Sequence, residues 1–380
     1  MTSYQDLAAL TPAAGEPDWQ ALRLAIPALR ELDATPQDPV HHAEGDVWTH
    51  TRMVCERMLE LPDYRNGDAE RRFVLFYAAL LHDIAKPPCT VTQPDGRVTS
   101  AGHSRRGAVD ARVLMWRAGV PFALRERVCR LVAAHQLPFY AIRGDRSGHD
   151  AEYLARKLSW EVSLRELAAL AEADMLGRVC ADQRKVLDDI ELFRELAREE
   201  GCLDAPRAFA DEHTRIAYFR AGGGIAPDYP FYQASGSRVV MLSGLPASGK
   251  DSWTRAEGGG LPVISYDDAR AELGLKHGPR AGAAVHLAVD RAKALLRSQA
   301  PFIWNATHLS ERMRKKTLDL LYAYHAEVSI IYLEHGEREI KARNSRRDST
   351  LPNQAIDRML SHWEVPLATE AHRVEYRPAC

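Results

Sequence analysis

The stretch VVMLSGLPASGKDSW, residues 239–253, joins an apolar run to a glycine-rich turn and then to residues that continue as a helix. A buried strand followed by such a turn sets backbone N–H groups around a polyphosphate, and Lys250 reaches toward its β- and γ-phosphates. Gly244, Ser248, Gly249, Lys250, Asp251 and Ser252 are therefore the candidates for holding a nucleoside triphosphate such as ATP together with Mg2+. A glycine turn with a purely structural role is the competing reading of the loop alone, and the strand before it and the helix after it argue against that reading. The residue after the lysine is ordinarily Ser or Thr and holds magnesium. Here it is Asp251, whose carboxylate is a hard oxygen ligand able to serve magnesium directly or through water.

Downstream of the loop, strands and helices alternate. Strands are expected at Val239–Leu242, Pro262–Ser265, Pro301–Asn305 and Glu327–Leu333, with helices at Gly249–Ala256, Ala283–Ser298, Glu311–His325, Arg338–Arg347 and Asn353–Trp363. This alternation predicts a parallel sheet covered on both faces, with ligands at the carboxyl ends of its strands. Asp267 and Asp268 emerge there, in SYDDAR. A carboxylate at that edge can accept the proton of an attacking hydroxyl, whereas helix capping is the other use for such a pair and suits Asp268. Arg270 is placed to clamp a substrate phosphate. The third strand ends in Asn305-Ala306-Thr307-His308 without an acidic pair, which disfavours a motor or AAA-type ATPase. Arg343 and Arg347 lie four apart on one helical face. They can close over a triphosphate, or they form a solvated basic face.

Upstream, residues 1–200 read as helical. Apolar residues recur at three- and four-residue spacing in Trp19–Leu32, Trp48–Leu61, Arg71–Leu81, Gly107–Ala118, Leu124–His135, Leu164–Leu176 and Gln183–Arg198. Pro87-Pro88 is read as closing the helix that carries His82, and Thr90–Ser100 as a hairpin turning at Asp95-Gly96. Within this texture stand His50, His82, Asp83, His103, His135 and Asp174, polar groups that burial tolerates only with strong partners. A divalent metal is such a partner, although any one of these histidines alone reads better as a satisfied core residue. Lys86 follows Asp83 by one turn, either facing a phosphate or complementing a helix C-terminus. His41, His42, His149, His213 and His372 are read as surface residues. Residues 201–236, broken by Gly222-Gly223-Gly224, Pro227, Pro230 and Gly236, read as a linker, leaving 237–380 as the second domain.

The chain of 380 residues is long enough for two cores, and its formal net charge of −2 excludes a large nonspecific nucleic-acid footprint. Six cysteines at 55, 89, 129, 180, 202 and 380, without a CxxC pair, fit a reducing compartment. No signal peptide or membrane-spanning run is visible, so the expected location is cytoplasmic and the membrane is not an expected partner.

GLPASGKDSW, SYDDAR, NAT and RNSRR followed by Pro352 resemble, in order, the landmarks of the phage-type polynucleotide 5′-kinases. That resemblance implies that Asp267 is the general base, that Arg270 contacts the acceptor's 3′-phosphate, and that Arg343 and Arg347 bind the donor's phosphates beside Lys250. The upstream half resembles an HD-domain phosphohydrolase, in which a first histidine, the HD doublet and a late aspartate hold a metal. Carried over, His50, His82, Asp83 and Asp174 hold one divalent transition metal. His103 and His135 hold a second, with Asp83 bridging, and the HDxxKP pattern turns Lys86 toward the scissile phosphate.

Together the two halves resemble the bacterial HD-domain–polynucleotide kinase end-healing enzymes: an all-α HD-type domain followed by an α/β P-loop kinase domain with a parallel sheet. The resemblance implies bifunctional RNA or DNA end healing. A 5′-hydroxyl is phosphorylated and a 2′,3′-cyclic, 2′- or 3′-phosphate is removed, with nucleic-acid ends as partners and a ligase downstream. An HD nucleotidase joined to a small-metabolite or nucleoside kinase is the alternative.

Overall fold

The computed structural model describes residues 2–143, 148–275, 281–346 and 351–379, and it divides into two compact units, Met1–Ala208 and Phe209–Cys380. The long helices of the first unit are α1 (Val47–Glu60), α2 (Ala69–Leu81), α3 (His103–Arg117), α4 (Phe122–Ala134), α5 (Leu164–Leu176) and α6 (Gln183–Glu199). Asp46, Asp68 and Ser163 open α1, α2 and α5, each side chain accepting a backbone N–H from the first turn. From Phe73 to Leu81 every residue of α2 is buried, so this helix is apolar all round and runs through the middle of the bundle. It packs on α1 and α4, while α5 crosses α1 and α2. Gly177, just after α5, permits a close approach, since a Cβ there would lie 2.8 Å from Val54 of α1.

Three expectations for this unit change. Pro27 lacks an N–H and splits the expected Trp19–Leu32 helix into an α-helix, Trp19–Ala25, and a 3-10 helix, Pro27–Ala34. The two prolines at 87 and 88 do not close a helix but sit in the first turn of a short one, Lys86–Cys89, where a missing N–H costs nothing. Lys86 therefore stands at a helix start rather than at a helix C-terminus. The hairpin forms as expected, with β1 (Val91–Thr92) antiparallel to β2 (Val98–Thr99).

The second unit is a five-stranded parallel sheet in the order β4-β5-β3-β6-β7, with β3 Arg238–Ser243, β4 Val263–Ser265, β5 Phe302–Asn305, β6 Glu327–Glu334 and β7 Arg373–Pro378. Its apolar layers are contributed by Val239, Met241, Phe302, Trp304, Val328 and Ile330 on one side and Leu242, Ile303 and Ile331 on the other. The linker expected at 201–236 is not one over much of its length. It carries α7 (Glu212–Ala221), capped by Asp211, and the buried Arg215 of α7 donates to the carbonyls of Ala368, Ala371 and His372. Nor are His213 and His372 surface residues. Their rings stack at 8° with centroids 5.6 Å apart, and His372 Nδ1 accepts the Val328 N–H. Among the described residues no helix is long and apolar enough to cross a membrane, and the described cysteines are free.

Candidate functional site

The six expected metal ligands converge in the first unit, each delivered by a helix end or a buried helix face. His82 caps α2, His135 caps α4, His103 begins α3, and His50 and Asp174 sit on the buried faces of α1 and α5. His50 Nε2 lies 3.1 Å from Asp174 Oδ1 and 3.3 Å from His82 Nε2. His82 Nε2 is 3.1 Å from Asp83 Oδ2, and His103 Nε2 is 3.2 Å from Asp83 Oδ1. Asp83 belongs to two groups of convergent ligand atoms, one with His50 and His82 and one with His103 and His135.

The other ring nitrogens are already committed. His82, His103 and His135 place Nδ1 at 2.8, 2.7 and 2.8 Å from the carbonyls of Ala79, Ser100 and Val132. His50 Nδ1 lies 2.9 Å from Glu44 Oε1. Each of these contacts calls for a proton on Nδ1, which leaves Nε2 as a lone pair. The His50 and His82 lone pairs then face each other at 3.3 Å, beside two carboxylates, an arrangement that only a shared proton or a cation stabilises. His135 Nε2 is buried without a hydrogen-bond partner, and neither Asp83 oxygen accepts a hydrogen bond of good geometry, although Lys86 Nζ lies 2.7 Å from Oδ2. The set of imidazole and carboxylate donors suits a divalent transition metal.

Electrostatics divide these groups. Burial works against the Asp83 carboxylate, but His82 and Lys86 outweigh it and hold the carboxyl well below its usual range. Asp174 is likewise held low against burial by Arg178, which grips it with two 2.9 Å bonds, and by His50. Burial disfavours the His82 cation, yet Asp83 and Asp174 together raise its pKa. Burial and then His82 push His135 down to about 3, so it enters the cluster as the neutral imidazole that metals bind.

A cavity of about 280 Å³ adjoins the cluster, lined in part by Lys86, His103, His42, Tyr140 and Arg178. Sequence reasoning missed Glu44 and Arg178 and placed His42 on the surface. The Glu44 carboxylate in fact bridges His42 Nδ1 at 2.8 Å and His50 Nδ1, and also accepts the Val179 N–H. Burial pushes His42 down to about 4 despite that bond. The HAEGDVWTH spacing of residues 42–50 carried this signal, since a loop followed by a capped helix can fold back on its own first histidine.

In the second unit the phosphate loop lies between β3 and α8 (Lys250–Glu257). Gly244 has φ 144°, and a Cβ there would come within 2.2 Å of the Leu333 carbonyl, so only glycine fits. Gly249, at φ 96°, caps α8. Lys250 Nζ donates to the carbonyls of Gly244 and Leu245 at 2.9 and 2.8 Å and lies 3.5 Å from the buried Ser248 Oγ. A cleft of about 700 Å³ opens over the strand ends and gathers Gly249, Lys250, Asp251, Ser252, Asp267, Arg270, Asn305 and Arg343. Arg255, Tyr266 and Met313 line it too, none of them singled out by the sequence. Arg347 lies outside the described residues.

Asp268 is not the cap. Ser265 is, accepting the N–H groups of both Asp267 and Asp268 at 3.2 Å at the start of α9 (Tyr266–Glu272). Asp267 is exposed on the cleft and ion-paired with Arg270 one turn on, while Arg343 is held by Glu339. Asp251 and Ser252 offer hard oxygens in the first turn of α8, the donor type magnesium requires, and the Asn305 amide holds Asp251 Oδ1 at 2.7 Å.

Comparisons with known proteins follow the same division. Residues 47–176 match the family model described as HD domain, and residues 239–366 match one described as AAA domain. The chain is 35% identical over 161 residues to the A-adding tRNA nucleotidyltransferase of Deinococcus radiodurans, covering 41% of this chain and 35% of that protein. It is 30% identical over 181 residues to the multifunctional CCA protein of Xanthomonas campestris pv. campestris, covering 47% of this chain and 41% of that protein. The chain thus spans less than half the length of these relatives. A sugar kinase from Janibacter aligns with TM-score 0.29 and 18% identity over 37% of this chain and 85% of that one. In one chain, a helical region that matches the HD domain model is thus followed by a P-loop α/β region that matches the AAA domain model.

Proposed function

We propose that the protein heals nucleic-acid ends, phosphorylating a 5′-hydroxyl in the second unit and removing a 2′,3′-cyclic, 2′- or 3′-phosphate in the first. The observation that carries the reading is the pairing of two phosphate-handling sites in one chain. A buried His/Asp cluster whose lone pairs call for a cation is joined to a phosphate-loop cleft in which Asp267 and Arg270 stand together. A relative named as a tRNA nucleotidyltransferase supports a polynucleotide rather than a metabolite substrate.

In the kinase step Asp267 takes the proton of the 5′-hydroxyl as its oxygen bonds to the γ-phosphorus of ATP, or of another nucleoside triphosphate, and the nucleoside diphosphate leaves. Arg270 holds the acceptor's 3′-phosphate, and Lys250, Arg343 and Arg347 bind the donor's phosphates. In the first unit His50, His82, Asp83 and Asp174 would hold one divalent metal, and His103 and His135 together with Asp83 would hold a second. When bound, such ions supply Lewis acidity and bring the pKa of water to about 7. Lys86, beside Asp83 and on the cavity wall, contacts the departing phosphate. The ends so produced are those a ligase joins.

The test is one substrate and two readouts. An oligoribonucleotide with a 5′-hydroxyl and a 2′,3′-cyclic phosphate is incubated with ATP, magnesium and a transition metal, and both ends are resolved. Gain of a 5′-phosphate with loss of the terminal phosphate is the expected result. Processing of free nucleosides or nucleotides with both ends untouched overturns the reading in favour of a metabolite enzyme.

A further inference from the structure

A carboxylate at the position after the loop lysine is an electrostatic liability. The N-terminus of α8 and Lys250 draw a polyphosphate into the loop, and Asp251, in the first turn of the same helix, repels it. The structure holds this residue in place instead of letting it turn away. Asn305 ends β5, the strand paired between β3 and β4, so its side chain rises from the middle of the cleft floor. Its amide lies 2.7 Å from Asp251 Oδ1. A carboxylate only accepts, so the amide nitrogen faces it and the contact is a directed N–H···O bond. A hydroxyl at position 251 would place no charge there and need no such clamp.

We infer that the Asp251–Asn305 pair couples nucleotide binding to the divalent cation, making the loop reject metal-free ATP and accept the magnesium complex. This inference rests on the reading of the cleft as a nucleoside-triphosphate site. The clamped carboxylate and the triphosphate repel each other when no cation lies between them and attract a shared one when it does, so the penalty on free ATP and the gain with magnesium have a single source. Because Asp251 is exposed, water and salt reduce the effect, and it is expected as about a tenfold change rather than several decades.

The experiment is calorimetric titration of the full-length protein with ATP in EDTA and with ATP in excess magnesium. In wild type the magnesium complex binds more tightly. Asp251→Asn, neutral and of the same shape, is expected to bind metal-free ATP about tenfold more tightly than wild type and to shrink the ratio between the two conditions by at least that factor. Asn305→Ala keeps the charge and loses the clamp, so it is expected to reduce the ratio severalfold without tightening metal-free binding. An unchanged ratio in Asp251→Asn overturns the inference while leaving the nucleotide site intact. Lys250→Ala separates the two ideas. It is expected to weaken ATP in both conditions, and if neither wild type nor Lys250→Ala binds ATP in either condition, the nucleotide-site reading itself fails.

Discussion

The helical unit sinks its charge, with His50, His82, Asp83, His135 and Asp174 all at most 1% exposed, whereas the sheet unit displays it, with the Asp267 side chain 70% exposed on an open cleft. The difference follows from what each site needs. Imidazole and carboxylate lone pairs massed in an apolar core call for a shared proton or a cation, which makes this core a candidate metal site. A phosphate loop relies on backbone N–H groups fixed by glycine geometry, and its acid and arginines need freedom to meet a large anionic substrate. Changes in the first site should therefore alter metal binding and folding together, and changes in the second should alter chemistry with little effect on stability.

The largest test asks whether the sites are independent. His82→Ala or Asp83→Ala is expected to lower phosphate release by about a thousandfold or more while leaving 5′-phosphorylation within about twofold, and Asp267→Ala to do the reverse. End-labelled oligonucleotides report both activities in one reaction. Loss of both activities in a single, folded variant would break the comparison at its root.

A smaller effect probes how the buried site is oriented. Glu44 touches no expected ligand atom on Nε2 but fixes His50 from behind through Nδ1, as a positioning residue. Glu44→Ala is expected to weaken metal affinity by about 10–100-fold, the usual cost of losing such a partner. Metal content after dialysis against a graded chelator measures it without reference to turnover, and Glu44→Gln, which can still accept the Nδ1 proton, is expected to recover part of the loss. Wild-type metal retention in Glu44→Ala would remove Glu44 from the site.

The sheet unit has its own buried polar group, and it behaves differently because no cation is asked of it. His308 bonds the Leu242 carbonyl through Nδ1 and meets the Thr317 hydroxyl at Nε2, and burial pushes it from 6.5 to about 4. The folded form therefore favours the neutral ring. Its contribution is full above pH 6.5 and is lost as pH falls toward 4, because the unfolded chain takes up the proton first. By pH 5 the loss is about 2 kcal/mol. Urea unfolding at pH 7.5 and 5 is expected to show a smaller decline in His308→Gln than in wild type, and equal declines would mean that the ring is not held neutral.

How much of this was legible depended on whether the cause was local. Strands β3, β4, β5 and β6 and the phosphate loop announce themselves because apolar runs and a glycine turn are local signals. Strand β7, RVEYRP, carries no buried alternation and ends in proline, and it becomes a strand only by pairing with β6. Helix α7 lay hidden in a glycine- and proline-rich stretch because Arg215 binds carbonyls some 150 residues away in sequence. The six candidate ligands stood out as polar residues in apolar helical texture. Glu44, His42 and Arg178 did not, since loop polar residues look solvated until the fold brings them against a histidine or an aspartate.

The smallest effect separates placement from chemistry at the exposed acid. Asp267 stands in the first turn of α9 because Ser265 Oγ accepts both its N–H and that of Asp268, so the cap aims the carboxylate that the cleft presents. Ser265→Ala removes the cap and leaves every cleft side chain in place, and it is expected to cost about 1 kcal/mol of stability. If aim matters, 5′-phosphorylation falls by more than ATP binding does, with kcat declining severalfold at nearly constant KM for ATP and Ser265→Thr restoring most of it. If kcat is unchanged while stability drops, the acid finds its position without the cap. The exposed site is then assembled by its substrate, in contrast to the buried one, which the fold assembles in advance.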